Sequence, residues 1–456
     1  MRKKKKWGKI PATPGLTIFL LVIGLLNLFQ MDYKYYPFGG GSGAFSFYRG
    51  PVLPMTGISG TEELKAARHV DFDFAPFARD WEALMDGQFR RVDVLVTDTY
   101  QLTNRGQTAV TADLAYPFEG RLTDPEEDFP AVTVDGKPVE AGLLLSVDAH
   151  SSVKKAGSWK AYRKAVEEGN HLEEALAAAP VLRERVKVYH FADIRYDGPE
   201  EPQGAFLRIR FVKPENTRLW AYNWKSGGTD AKTGEFDMMF GAEPDGSGEG
   251  WLLVAGEDIP APEFSGNLTY NITETSSTDQ VTYRLETYDA TLEEMLRRFS
   301  KTYDIWIESH DYPPHALAAP EVLYEGAAKY LAGGIYSDTY GYVSIDNIFW
   351  DVAGKNRLMY RRFPVEIGPG ETVCVQVRYH QEGSEDNGGM GEPRYGYDMA
   401  TRLGSNLKIA ELTASITNGE EIKITGQNMG FRLEQGTARV SLDPEKERYY
   451  LNVVHQ

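Results

Sequence analysis

The chain begins MRKKKKWGK and then runs from Leu16 to Phe29, LTIFLLVIGLLNLF, without a charge. No other stretch limits the fold as strongly, because it assigns a compartment to everything after it. Arg2, Lys3, Lys4, Lys5, Lys6 and Lys9 precede the run. Basic residues stay on the cytoplasmic side, so the downstream chain is expected outside. The clean apolar core is about 14 residues, short of the roughly 20 of an ordinary span and close to a signal h-region. Ile10 to Met31 is uncharged throughout. It can span if Pro14 sits in the first helical turn, where its missing N–H costs little.

No small-x-small cleavage site closes the run, since Asn27, Leu28, Phe29, Gln30, Met31 and Asp32 follow it. Ser42-Gly43-Ala44 has the right chemistry but lies about a dozen residues too far along. No cysteine is near for lipoprotein processing. Residues 1–31 therefore read as a basic head and an uncleaved signal anchor, with the N-terminus cytoplasmic. Secretion after cleavage is the alternative. The side chains expected in the membrane are Leu16, Ile18, Phe19, Leu20, Leu21, Val22, Ile23, Leu25, Leu26, Leu28 and Phe29. Residues 32–60 read as a spacer. Tyr33, Tyr35, Tyr36 and Phe38 suit an interfacial aromatic belt, and the glycine run after them suits a flexible tether. Packing of these rings on the first domain is the competing reading.

Charge narrows the partners. The net charge is −17, and without the six basic head residues 43 basic side chains face 66 acidic ones, or −23. That argues against nucleic acid, which demands a basic footprint, and against docking on an anionic membrane surface. The single cysteine, Cys374, forbids an internal disulfide. It alternates with Val373, Val375 and Val377 in a strand and is expected to be a small buried hydrophobe.

Along the chain, Thr61-Glu62-Glu63-Leu64 suggests a short helix to about Arg68, and Phe77 to Met85 a second. Strands follow at Val92 to Thr103, Ala109 to Pro117 and Val132 to Val139, with turns at Asn104-Arg105-Gly106 and Asp135-Gly136. Residues 158–179 change to a helical period. From Val186 to Glu286 the pattern is again strand and turn. Thr291-Leu292-Glu293-Glu294 is a capping box opening a helix from Met295 to Trp306, and Pro320 to Leu331 is another helix. From Ile335 onward every segment reads as strand, including Phe363 to Tyr379 around Gly368-Pro369-Gly370. The fold class is mainly β with helical insertions. Two antiparallel β-sandwich-like domains follow the membrane helix, a domain at 61–290, a helical connector at 291–334 and a C-terminal sandwich at 335–456.

One order of segments carries a resemblance. Tyr100 to Phe118, then Val134-Asp135-Gly136-Lys137-Pro138-Val139, then the helix Trp159 to Gly169, and much later Ile367 to Val373 with Val375, Val377 and Tyr379, together resemble the vault-protein and inter-alpha-trypsin type β-sandwich domain. The resemblance covers about a quarter of the chain. It implies a role in protein contact, with no catalytic residues to carry over. Roughly 200 residues separate the helix from the last strand. The resemblance thus implies a discontinuous first sandwich with residues 186–360 inserted. The Asp-x-Ser-x-Ser metal sequence of the adhesion domains that often accompany the family is absent.

The sharpest local feature is Leu219-Trp220-Ala221-Tyr222-Asn223-Trp224. On a strand Trp220, Tyr222 and Trp224 share one face and form a platform about 13 Å long at roughly 3.3 Å per residue. Such a platform suits a sugar ring, and burial in the core is the competing use. His310 and His315 flank prolines that forbid a helical metal motif. Glu382 to Asn387 and Asp245 to Glu249 are acidic loops without the calcium-loop order. Tyr395 to Asp398, Gly404 to Leu407 and Gln427 to Phe431 read as sandwich corners. No nucleophile elbow, phosphate loop or cofactor motif occurs. The leading expectation is a non-enzymatic binding or interaction module of the cell envelope. Its partners would be the membrane, through residues 16–29, and an envelope protein or a glycan. A carbohydrate-active hydrolase and an accessory or sensor subunit of a membrane complex are the alternatives.

Overall fold

The computed structural model describes residues 48–77, 79–80, 92–124, 129–145, 158–168, 180–199, 202–230, 232–270, 275–303, 319–334, 336, 338, 340–386, 393–436 and 438–456. The basic head and all the residues expected in the membrane lie outside these. So do Tyr33 to Phe38, His310, His315 and most of the helix expected at Phe77 to Met85. Among the described residues no helix is long and apolar enough to cross a membrane.

The described chain is mainly β. Its strands are Pro51–Val52 (β1), Thr56–Ser59 (β2), Leu64–Asp73 (β3), Asp93–Asn104 (β4), Val110–Gly120 (β5), Ala131–Val134 (β6), Lys137–Pro138 (β7) and Gly142–Leu145 (β8). The helix Trp159–Glu168 (α1) precedes Arg185–Tyr196 (β9), Gly204–Val212 (β10), Thr217–Tyr222 (β11), Ser226–Thr229 (β12), Glu235–Gly241 (β13), Gly248–Gly256 (β14), Glu263–Thr269 (β15), Thr275–Thr278 (β16) and Val281–Thr291 (β17). Helices Leu292–Thr302 (α2) and Pro320–Ala332 (α3), strand Val343–Ser344 (β18) and helix Ile345–Gly354 (α4) come next. The chain ends with Arg357–Ile367 (β19), Thr372–Glu382 (β20), Ser384–Asp386 (β21), Arg394–Ala400 (β22), Lys408–Thr417 (β23), Ile422–Gln427 (β24), Arg439–Leu442 (β25) and Arg448–His455 (β26).

The two ends of the described chain build shared sheets. The largest runs β25-β23-β3-β4-β20-β6-β7, with β20 antiparallel to β4 and β23 parallel to β3. Two further sheets, β1-β22-β26-β24 with β21 on β22, and β2-β5-β19-β8, close over it. The inward residues of all three form one core, including Val70, Phe72, Val96, Tyr100, Leu114, Phe363, Val375, Tyr397 and Leu451. Strands from Arg357 onward thus pair with strands up to Gly120.

The middle of the chain makes its own layers. The sheet β17-β9-β14-β11-β18 packs one face on the sheet β12-β13-β10-β15-β16, through residues such as Phe191, Leu252, Ile209 and Phe240. Its other face receives α2, α3 and α4 through Trp220, Tyr222, Leu253, Phe299, Leu323 and Phe349.

Several local expectations hold for the stated reasons. Asp135 and Gly136 both have positive φ, 48° and 75°, as a two-residue I′ turn requires. Thr291 and Glu294 form the reciprocal capping box of α2. Others fail instructively. The Thr61 segment does not open a helix, because Leu64–Asp73 is a strand with Leu64, Ala66, Arg68, Val70 and Phe72 inward. The period of two was hidden by an arginine at an inward position. Likewise Ile345–Gly354, expected as strand, is the helix α4, because Ile345, Ile348, Phe349, Val352 and Ala353 recur at helical spacing behind a Ser344 cap. Tyr395 to Asp398 is not a corner but part of buried β22.

Arg68 explains its own position. Its guanidinium is fully buried and donates to Asp98 Oδ1 at 3.0 Å and Oδ2 at 2.8 Å. It also donates to the carbonyls of Ala400 at 2.7 Å and Leu53 at 3.3 Å. The hydroxyls of Tyr100 and Tyr116 donate to Asp98 Oδ2 at 3.0 and 3.1 Å. Burial opposes the cation, but Asp98 holds it well above the ordinary arginine value. Asp98→Ala should destabilise the fold by about 3–5 kcal/mol, since it leaves an uncompensated buried charge. Arg68→Met combined with Asp98→Leu should cost less than that single change. Urea titration of both variants measures the difference.

Candidate functional site

The aromatic platform does not form. Trp220 is fully buried and Tyr222 is 6% exposed. Both face the helices, where the Tyr222 ring stacks on Phe299 at 4.0 Å. The strand ends at Tyr222, and Asn223 takes a left-handed φ of 54°. That turn sends half-buried Trp224 to the opposite side of the sheet, against Tyr342, with its indole N–H donating to Ser344 Oγ at 3.0 Å. Three rings at strand spacing share a face only while the strand continues.

The other singled-out residues resolve as follows. Val373, Val375 and Val377 are inward, so Cys374 is on the outer face of β20 and only half-buried. Ser384–Asp386 is a short strand rather than a loop. Asp245 turns the chain by accepting from Ser247 N–H. Gln427 Oε1 accepts from Gly430 and Phe431 N–H, which is a corner as expected. Ser405 and Asn406 grip the Met55 to Gly57 segment through four contacts of 3.2 Å or less.

Sequence reasoning missed two polar clusters. In the first, His190 lies flat on Trp251, with ring centroids 4.7 Å apart. Its Nε2 is 2.6 Å from Glu249 Oε1 and its Nδ1 is 3.3 Å from Glu286 Oε2. The carboxylates sit at opposite ring nitrogens, so the three cannot converge on one ion. Among the described residues no group of three or more His, Cys, Asp or Glu is arranged for a metal.

The second cluster clamps the first described residues. The Tyr48 hydroxyl donates to Asp398 Oδ2 at 2.6 Å, and Arg448 reaches the same oxygen at 2.7 Å. Arg49 pairs with Glu382 at 2.8 Å. Gly50, at φ +76°, packs so closely on Glu119 Oε1 and the Tyr162 ring that a Cβ would lie 2.4 Å from that oxygen. Glu119 Oε1 is shut off from solvent beside the Tyr162 ring, while Oε2 accepts from Asn356 at 3.2 Å. Burial pushes the Glu119 carboxyl up to about 7, against the Tyr162 hydroxyl, the Arg49 cation and the Asn356 amide. The tether expected at residues 32–60 is therefore bound into the fold from residue 48 onward.

An open groove of about 580 Å³ lies where β3 and β23 begin. Lys65 and Lys408 are register partners in this parallel pair, so their side chains leave the same face of the sheet. Arg105 and Arg402 join them at the lining, with Glu62 and Glu63 as the acidic members. Lys408 Nζ donates to the Glu62 carbonyl at 3.3 Å, and Arg402 pairs with Glu445. Lys65 and Arg105 have no side-chain partner among the described residues. Like charges in register destabilise a sheet. On a chain of net charge −17, four cations gathered in one groove are an anion-seeking surface. The sequence signal was weak, because residues 65, 105, 402 and 408 are adjacent only through tertiary pairing.

No family model matches the chain, and no curated protein matches it.

The Glu119 cluster gives the stability a pH dependence. The folded chain holds this proton at about 7 against an ordinary 4.5, so stability falls as pH rises through that window and stays lower above it. Asp398, also pushed up by burial, adds the same sign. Glu119→Gln should melt several degrees above the wild type at pH 8 and match it at pH 4 in calorimetric scans. A lower melting point at pH 8 would mean that the ionised carboxylate stabilises the site.

Proposed function

We propose that this chain is a non-enzymatic binding module, tethered to the outer face of the cell membrane by Leu16 to Phe29, that engages an acidic surface of an envelope protein. The observation that carries the reading is the in-register pair Lys65 and Lys408, flanked by Arg105 and Arg402, in an open groove. An open groove lined by ionic groups suits the rim chemistry of a protein partner. A site for a small substrate is usually a mostly apolar cleft that encloses its ligand. The acidic remainder of the chain repels non-specific anions at longer range and leaves this groove as the locally favourable landing point.

The resemblance to the vault-protein and inter-alpha-trypsin type domain points the same way, since its implied role is protein contact. Of its quoted strand segments, β4 and β6 both pair with β20. The sugar-platform alternative loses its support with the burial of Trp220 and Tyr222.

The reading is tested by capture from native membranes with the solubilised full-length chain. The double variant Lys65→Glu/Arg105→Glu should lose at least tenfold in partner yield. Wild-type capture should weaken steeply between 0.1 and about 0.5 M salt, as screened surface charges do. A partner set unchanged by the double variant refutes the groove. Capture of an anionic wall polymer in place of protein refutes the partner class.

A further inference from the structure

Strand β17 is the outermost strand of its sheet: β9 pairs with one edge, and no described strand pairs with the other. It is eleven residues long, VTYRLETYDAT. Its only irregularity against β9 falls between Thr282 and Arg284. There the extra residue belongs to β9, where Asp193 takes a φ of +53°. The outer strand itself is regular. Thr282 to Thr287 are all exposed, on both faces. Tyr283, at 36% exposure, and Leu285, at 38%, are two of the six large apolar side chains left exposed among the described residues.

A long, regular, uncovered edge is a template for strand addition. Charged residues are the usual protection, and Arg284, Glu286 and Asp289 are present. Their order, however, complements itself. In antiparallel pairing about a twofold axis at Leu285, Arg284 faces Glu286 of a second copy and Glu286 faces its Arg284. Tyr283 faces Thr287, and Leu285 faces its own equivalent. Opposite charges and aromatic–β-branched pairs are the cross-strand contacts that stabilise sheets. Centring instead on Arg284 or on Glu286 sets like charges against each other, so the sequence also selects the register. Arg284 already binds Asp193 at 2.8 Å and pairs with Glu286 of its own chain. Glu286 also lies 3.3 Å from His190 Nδ1. The exchange therefore repeats between copies a pairing made within each.

We propose that two copies of this chain associate through β17, antiparallel about Leu285, joining their five-stranded sheets into one. The contact is isologous, as a closed twofold dimer requires. It does not rest on the groove at β3 and β23, which lies in a different sheet.

The full-length chain in detergent micelles, weighed by light scattering across a dilution series, should be a dimer. Arg284→Glu and Glu286→Arg should each weaken association at least tenfold, because each sets like charges opposite one another. The combined variant Arg284→Glu/Glu286→Arg should restore it. Directly opposed residues in an antiparallel pair have Cα atoms about 4.5–5.5 Å apart, within disulfide reach. On a Cys374→Ser background, Leu285→Cys should therefore cross-link on oxidation, and Tyr283→Cys alone should not. A monomeric wild type overturns the proposal. So does a dimer indifferent to all three charge variants, which would place association elsewhere, the apolar Leu16 to Phe29 segment included. A Leu285→Cys chain that stays uncross-linked also overturns it.

Discussion

The buried pair of Arg68 and Asp98 is the contact on which the rest of the sandwich depends. Two charges withdrawn from water are costly unless every donor and acceptor is met. Here the requirement is met only by parts far apart in the chain. Asp98 and the Tyr100 hydroxyl come from β4, the Tyr116 hydroxyl from β5, and carbonyls from Leu53 and Ala400. A one-residue slip of β3 would carry Arg68 to the other face of the sheet. The pair thus sets register as much as it adds stability.

The same logic extends outward to the first described residues. Tyr48, Arg49 and Gly50 meet Asp398, Glu382 and Glu119, and Met55 to Gly57 meet Ser405 and Asn406. Pro51 and Val52 pair in parallel with Asp398 and Met399. Parallel neighbours need a long connection between them. In this chain that connection holds the two middle sheets and their helices. The first described strand is held by strands near the end, so neither end of the described chain has a complete core of its own.

Charge is handled differently inside and outside. Interior ions are paired or hydrogen-bonded, as at Arg68 with Asp98 and Asp398 with Arg448. His190 is fixed between two carboxylates and an indole. At the surface, cations collect where β3 and β23 start, and a self-complementary run of charges lies along β17. The first arrangement asks for an acidic partner, and the second for a copy of itself.

Local periodicity by itself determined a great deal. The β4–β5 strands, the Asp135-Gly136 turn, the α2 capping box and the mainly β class follow from neighbours a few residues apart, and short-range physics suffices for them. Where a residue type contradicted its environment, the pattern misled. A buried arginine hid β3, and a left-handed Asn223 broke the face shared by Trp220, Tyr222 and Trp224. Only the tertiary structure decided which strands pair and that Lys65 stands beside Lys408. Those facts depend on contacts across some 350 residues, where burial and charge pairing choose the partner and local sequence is silent.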